Sequence, residues 1–290
     1  MSGLPETKIG EISPHVRVFA ESGYGVIRNP KFRSALIFDC GPLGPDYQPG
    51  HGHCDVLSYE LSLQGQRVVV DIGVSTYERG RERSYERSTA AHNTVRVDGD
   101  EQAEIWASFR VGRRPRVGRI CGGIAGAFSF VSGEHAAYRR CGVLHVRKIL
   151  FRAPDTWVVI DLIKGSGNHR LESFLHFHPL VHVEADPGDS RTGGLFCRWT
   201  VNFAGEIYAL ATYGGGQFDL MQSWYSEQFG KRQPSTMLRC TWETAIPAGL
   251  IHIFTPAGAP APPIVANWAG EWVEIGGQRI TLRSKSEIAR

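Results

Sequence analysis

The chain has 290 residues and carries 32 basic against 29 acidic side chains, and a net charge of +3 gives no reason to expect a nucleic-acid partner. At this length one core can bury enough apolar surface without staples, and the six cysteines (Cys40, Cys54, Cys121, Cys141, Cys197 and Cys240) are too scattered for a disulfide framework. No apolar run reaches membrane-spanning length, and Met1–Glu6 carries no leader pattern, so the expectation is a cytoplasmic chain or one part of a longer exported protein.

Residues 1–14 read as a tail, and from there the dominant hydrophobic period is two rather than 3.6. Ser34–Asp39 is the first clear strand. Ser58–Leu63 then alternates strictly, Gln64-Gly65 breaks it, and Gln66–Asp71 resumes, which predicts a hairpin. The best helical stretch is Arg81–Ala91. Further strands are expected at Thr94–Val97, Ala127–Val131, Trp157–Leu162, Arg170–His178, Glu206–Ala211, Leu238–Trp242 and Leu250–Thr255, with Asp98-Gly99 and Gly276-Gly277 as turns. Pro256–Pro263 reads as a linker, and residues 264–290 as a closing hairpin of Glu271–Ile275 and Gln278–Arg283. No amphipathic pattern of three or more helical turns is present. The pattern therefore predicts a single all-β domain, a large two-layer antiparallel β-sandwich with under roughly one-tenth helix.

The chemistry concentrates between His51 and His92. In Pro49-Gly50-His51-Gly52-His53-Cys54-Asp55 the two histidines, if the chain is extended, point to one side roughly 6.5–7 Å apart, and Cys54 points away into packing. Asp71 ends the apolar run Val68-Val69-Val70, where an acid must be solvated, paired or bound to a cation. His92 follows in Ser88-Thr89-Ala90-Ala91-His92-Asn93-Thr94. Two imidazoles and one carboxylate with an open fourth position suit zinc, and the same residues equally fit ordinary satisfied polar groups. A two-residue turn at Gln64-Gly65 would set Asp71 opposite Ser58, roughly 16 Å along the strand from His53, so the chain must fold back near Pro49–Gly52 for them to meet. His176 and His178 share a face of one predicted strand and read as structural.

These residues also carry a resemblance. His51-Gly52-His53-Cys54-Asp55, Ser58-Tyr59-Glu60-Leu61, Val69-Val70-Asp71 and Ser88–Val95, in that order, resemble the heparinase II/III-like polysaccharide lyases, and Ser108–Gly112, Leu175–Pro179 and Trp224-Tyr225-Ser226 are similar to later parts of the same module. The resemblance implies β-elimination of uronate-containing polysaccharide, Zn2+ held by His53, Asp71 and His92, and His51 in the substrate cleft. It also implies an N-terminal α/α toroid that supplies the tyrosine acid/base and neutralises the uronate carboxylate. This chain has no long helical pattern to supply one, so a toroid domain or partner chain is expected elsewhere. Cys54 departs from the small residue usual at that place.

Within the chain, Tyr77 or Tyr85 offers a phenol, and Arg79, Arg83, Arg87 and Arg110 offer contacts to an acidic polysaccharide or oligosaccharide. The plainer readings are partly buried tyrosines and a solvated basic loop. Two functions remain in play: a lyase module with a zinc-supported cleft, and a non-catalytic carbohydrate-binding domain that keeps the metal as a cross-link. A cupin-type oxygenase fits less well, because Glu60 lies too far beyond His53 for the glutamate of that pattern.

Overall fold

A computed structural model of the chain describes residues 14–186 and 196–283, so the expected tail lies outside the described residues except for Pro14. Strands hold 54% of the structure and helices 7%, as the period-two pattern requires. The alternating segments Ser34–Asp39 and Tyr59–Leu63 bury every second side chain. With His15–Phe19, Tyr24–Asn29 and Gln66–Val69 they form a five-stranded antiparallel meander. A four-stranded sheet, Gln217–Tyr225, Gln233–Ala245, Asn168–His176 and Val95–Val97, extends this layer through the Val69–Phe177 bridge.

An eight-stranded sheet faces that layer and includes Leu144–Arg152, Thr156–Lys164 and Ala248–Pro256. Leu36, Phe38, Leu61, Val95 and Leu171 from one layer share a single core with Ile149, Trp157, Val159, Trp199 and Leu210 from the other. The two-layer sandwich is thus realised. Val158, Ile160, Ile251 and Ile253 point the opposite way and pack on Val273, Ile275 and Ile280. The strand Thr156–Lys164 is therefore buried on both faces, which is why its sequence runs apolar without alternating. The cover is the expected closing hairpin, Trp272–Ile275 with Gln278–Thr281, extended by a strand the sequence did not show, Ile264–Asn267, into a three-stranded sheet.

Two local departures shape the site. Gln64 and Gly65 both adopt positive φ, 52° and 81°, the primed turn that a two-residue hairpin demands. Ser62 pairs with Arg67, but Leu61 pairs with Val69, so a bulge at Val68 advances the register by one and sets Asp71 beyond Tyr59 instead of Ser58. The expected helix Arg81–Ala91 splits into an α-turn at Arg81–Glu86 and a 3-10 turn at Thr89–Ala91, where Glu101 Oε2 takes the Thr89 amide at 2.5 Å. No helix among the described residues is long and apolar enough to cross a membrane.

Candidate functional site

Loops at the edge of the meander and its four-stranded neighbour bring the His51–His92 residues together. The first contains a correction: Pro49–His51 is a 3-10 turn, not extended chain, and only Gly52 resumes an extended backbone. The fold-back demanded by the spacing occurs here, and the two histidines diverge. His51 stays exposed, with its ring 5.6 Å from that of Tyr77 and 5.3 Å from that of Phe109. His53 turns inward, its ring 5.4 Å from that of His92. Cys54 packs against Leu43 and Ala103, as alternation predicts, and burial pushes its thiol up to about 12.

The motif around His92 has a structural cause in its neighbours. Asn93 donates from Nδ2 to Tyr59 O and Val70 O, both at 2.9 Å, and its Oδ1 accepts the His176 amide at 2.7 Å. One side chain thereby ties the ends of three strands. Thr94 Oγ1 donates to Val56 O at 3.0 Å, which locks the His92 loop to the loop carrying His53 and Asp55. His176 holds the same loop through Nε2 to Ala90 O at 2.9 Å, whereas the His178 ring lies 5.1 Å from that of Tyr225. The two are structural and do not form a pair.

At the centre, Asp71 Oδ2 meets His92 Nδ1 at 2.5 Å, and Asp71 Oδ1 accepts the Gly73 amide at 2.9 Å. Gly73 has φ 77°, and a side chain there would strike Ser226 O, so only glycine permits this turn. His53, Asp55 and His92 place ligand atoms within 4.8 Å of one another. Asp55 is a member that spacing did not single out, although it lies two residues after His53 in the quoted motif.

The electrostatics centre on the Asp71–His92 pair: burial opposes the charge on His92, but Asp71 outweighs it and raises the ring to about 9. Burial holds the His53 ring well below its usual pKa and hence neutral, the form that ligates metal. Burial pushes Asp55 up to about 7, against the pull of His92, with Asp39 and Asp71 pushing further up. Burial also opposes the charged form of Asp71, but His92 and the Gly73 amide outweigh it and hold the carboxyl low. His92 Nε2 is buried and has no hydrogen-bond partner among the described residues. An orphaned imidazole nitrogen beside a neutral imidazole and converging carboxylates is a donor set that zinc suits.

The arginines divide. Arg83 Nη1 contacts His53 Nε2 at 3.1 Å while its guanidinium carbon lies 5.1 Å from the centroid of the Tyr77 ring, so it links the buried cluster to the exposed His51–Tyr77 pair. Arg87 donates to Gly52 O and Ala107 O, and its role is to hold these loops. Arg79, Arg83 and Arg87 line a cavity of about 290 Å³ with Glu101 and Trp106, which is 66% exposed. Arg110 is exposed on a two-residue strand and does not line that cavity. Of the two tyrosines, Tyr77 faces His51, whereas Tyr85 packs against Trp224 with the ring centroids 4.8 Å apart.

Residues 11–265 match the heparinase II/III-like C-terminal family. By sequence, none of the curated proteins matches the chain. Among solved structures, a heparinase III is 19% identical over 96% of this chain and 42% of its own, with a TM-score of 0.70. A second heparinase III is 16% identical over 92% of this chain and 42% of its own, at 0.71. The heparan sulfate lyase HepC mutant from Pedobacter heparinus is 16% identical over 91% and 42%, at 0.67. The chain thus spans 42% of the length of these structures, which share its fold.

Proposed function

The chain belongs to the heparinase II/III-like C-terminal family, and from that premise we propose that it is the β-sandwich module of a lyase acting on uronate-containing polysaccharide by β-elimination. The observation that carries this reading is the exposed His51–Tyr77 pair, tied by Arg83 to the buried His53 cluster. β-Elimination requires a base for the proton beside the carboxylate, donors for the resulting enolate and an acid for the leaving oxygen. When the proton leaves, its electron pair forms the new carbon–carbon double bond, and the glycosidic oxygen departs with a proton from the acid. His51 is placed to accept or return a proton at the surface. Tyr77 offers its phenol beside it. Arg79, exposed at the rim of the cavity, would meet an acidic sugar, while the buried Arg83 holds the loop behind it, with the rest of the acid/base set coming from an α/α-toroid domain or partner.

His53 and His92 would hold Zn2+ together with Asp55, whose ligand atoms converge, and Asp71, the carboxylate that the resemblance implies as a ligand, reaches His92 Nδ1 from behind. Bound there, the metal supplies a cross-link between the His53 loop, the Asp71 strand end and the His92 loop. That role also suits the second reading, a metal-stabilised carbohydrate-binding domain. What favours the lyase reading is that His51 and Tyr77 lie outside the buried cluster, where a glycan can reach them.

The test is the ultraviolet absorbance of the unsaturated uronate left at the new chain end, measured with the module alone and with a toroid partner. Cleavage that needs both, and that His51→Ala abolishes, is the expected result. Glycan binding without cleavage under every pairing would establish the binding-domain reading instead. Elemental analysis should find about one zinc, released in His53→Ala, Asp71→Ala and His92→Ala.

A further inference from the structure

Among the buried ionisable groups outside the site, Arg147 reaches across the sandwich to the site's own loops. It lies on Leu144–Arg152 in the eight-stranded sheet, directly opposite Asp161 on Thr156–Lys164. Both side chains are 1% exposed. Arg147 Nε donates to Asp161 Oδ1 at 2.7 Å and Nη2 to Oδ2 at 2.9 Å, the two-pronged pairing that fixes a guanidinium plane. The remaining prong crosses the core: Nη1 donates to Leu57 O at 2.6 Å and to Asn93 O. Leu57 is two residues from Asp55, and Asn93 is the neighbour of His92.

The carboxylate is itself anchored by a directed chain. The Ala137 amide donates to His135 Nδ1 at 3.1 Å, so the His135 proton is on Nε2 and is donated to His145 Nδ1 at 3.1 Å. His145 Nε2 then donates to Asp161 Oδ1 at 2.7 Å. His135 Nε2 also lies 3.4 Å from Gln102 Nε2, and the two-pronged bond to Asp161 is what orients Arg147. Leu57 meanwhile has φ 66°, a left-handed backbone that a leucine keeps only when its surroundings enforce it. Its amide donates to Asp39 O at 2.8 Å and its carbonyl accepts from Arg147, so the arginine is one of the contacts that hold it.

We infer that Arg147 is a positioning residue: braced by Asp161, His145 and His135, it sets the Asp55 loop and the His92 loop at the separation that brings their side chains beside His53. A core ion pair that served stability alone would have no reason to spend a prong on two carbonyls of the opposite layer. Both of those carbonyls flank members of the site. The consequence for metal binding rests on the zinc reading above; the positioning itself does not.

The experiment uses Arg147→Lys, which keeps the charge for Asp161 but lacks the planar fork that reaches both layers. The double variant Arg147→Met/Asp161→Asn removes both charges and guards against misfolding of the first. Val158→Ala, in the outer core, is the control for general loss of stability. Amide hydrogen exchange on chelator-treated protein is the first readout. The Leu57, Ser58, Asn93 and Thr94 amides should exchange at least about tenfold faster in the Arg147 variants than in Val158→Ala. Zinc affinity by chelator competition is the second, with an expected loss of roughly 10- to 100-fold in the Arg147 variants and none in Val158→Ala. Exchange at these amides that merely follows melting temperature in all variants would overturn the inference, and so would zinc affinity in Arg147→Lys equal to wild type. A wild-type protein that takes up no zinc would refute the metal reading, and the exchange comparison would still decide the positioning role.

Discussion

Replacing Asn93 is the sharpest test of how the fold builds this site. Asn93 is fully buried, and its amide serves Tyr59 O, Val70 O and the His176 N–H. Asn93→Ala leaves these two carbonyls and one amide without that partner in a space water does not reach. At about 1–2 kcal/mol for each of the three stranded groups, the loss is about 3–6 kcal/mol. In a domain of this size that lowers the melting temperature by roughly ten degrees. Asn93→Asp keeps the acceptor for His176 but faces two carbonyls with a carboxylate oxygen, so it should be at least as harmful. Calorimetry or a thermal melt followed by circular dichroism measures both. A loss below about 1 kcal/mol in either variant would refute the reasoning, because it would mean that the three strand ends hold their register without this side chain.

Other outcomes follow from the same contacts. With a toroid partner present, Tyr77→Phe should lower cleavage by orders of magnitude and Tyr85→Phe by less than about threefold, since only Tyr77 faces His51; equal effects would remove the assignment. Burial pushes His252 down to about 4, and neither ring nitrogen has a hydrogen-bond partner among the described residues. Its folded pKa lies below the unfolded 6.5, so its contribution is complete above pH 6.5 and is lost as pH falls toward 4. That loss is about 3 kcal/mol, and His252→Leu should flatten the acid side of the stability profile by that much; urea melts between pH 7 and pH 4 that superimpose for both proteins would rule it out.

The fold was legible in part where one face of a strand meets water. Ser34–Asp39 and Tyr59–Leu63 alternate in sequence because they alternate in burial, and both were found. Leu144–Arg152 was not, because its inward positions hold His145 and Arg147 and hydrophobicity alone does not mark them as core. Ile264–Asn267 escaped for the opposite reason: it is a mostly exposed edge whose register comes from pairing with Trp272–Ile275. The turn at Gln64-Gly65 was visible in residue type, but the bulge at Val68 was not. A run of three valines fits either register, and the choice is made by the tie from Asn93 to Tyr59 and Val70.

Within the site, residue type and order drew attention to His53, Asp71 and His92, but did not mark Asp55 or say which groups share a side. His51 and His53 look equivalent when written as a pair on extended chain. The 3-10 turn at Pro49–His51 separates them into an exposed member beside Tyr77 and a buried one beside His92. That separation leaves the His53–His92 cluster within the loops and the His51–Tyr77 pair at the surface. Arg83 spans the two, and Arg87, indistinguishable from it in an arginine-rich run, is committed to Gly52 O and Ala107 O. Sequence could not separate these arginines because the difference lies in the carbonyls they meet. Those carbonyls belong to loops whose positions depend on Asn93, Thr94 and Arg147, residues whose side chains reach the site only through the backbone they hold.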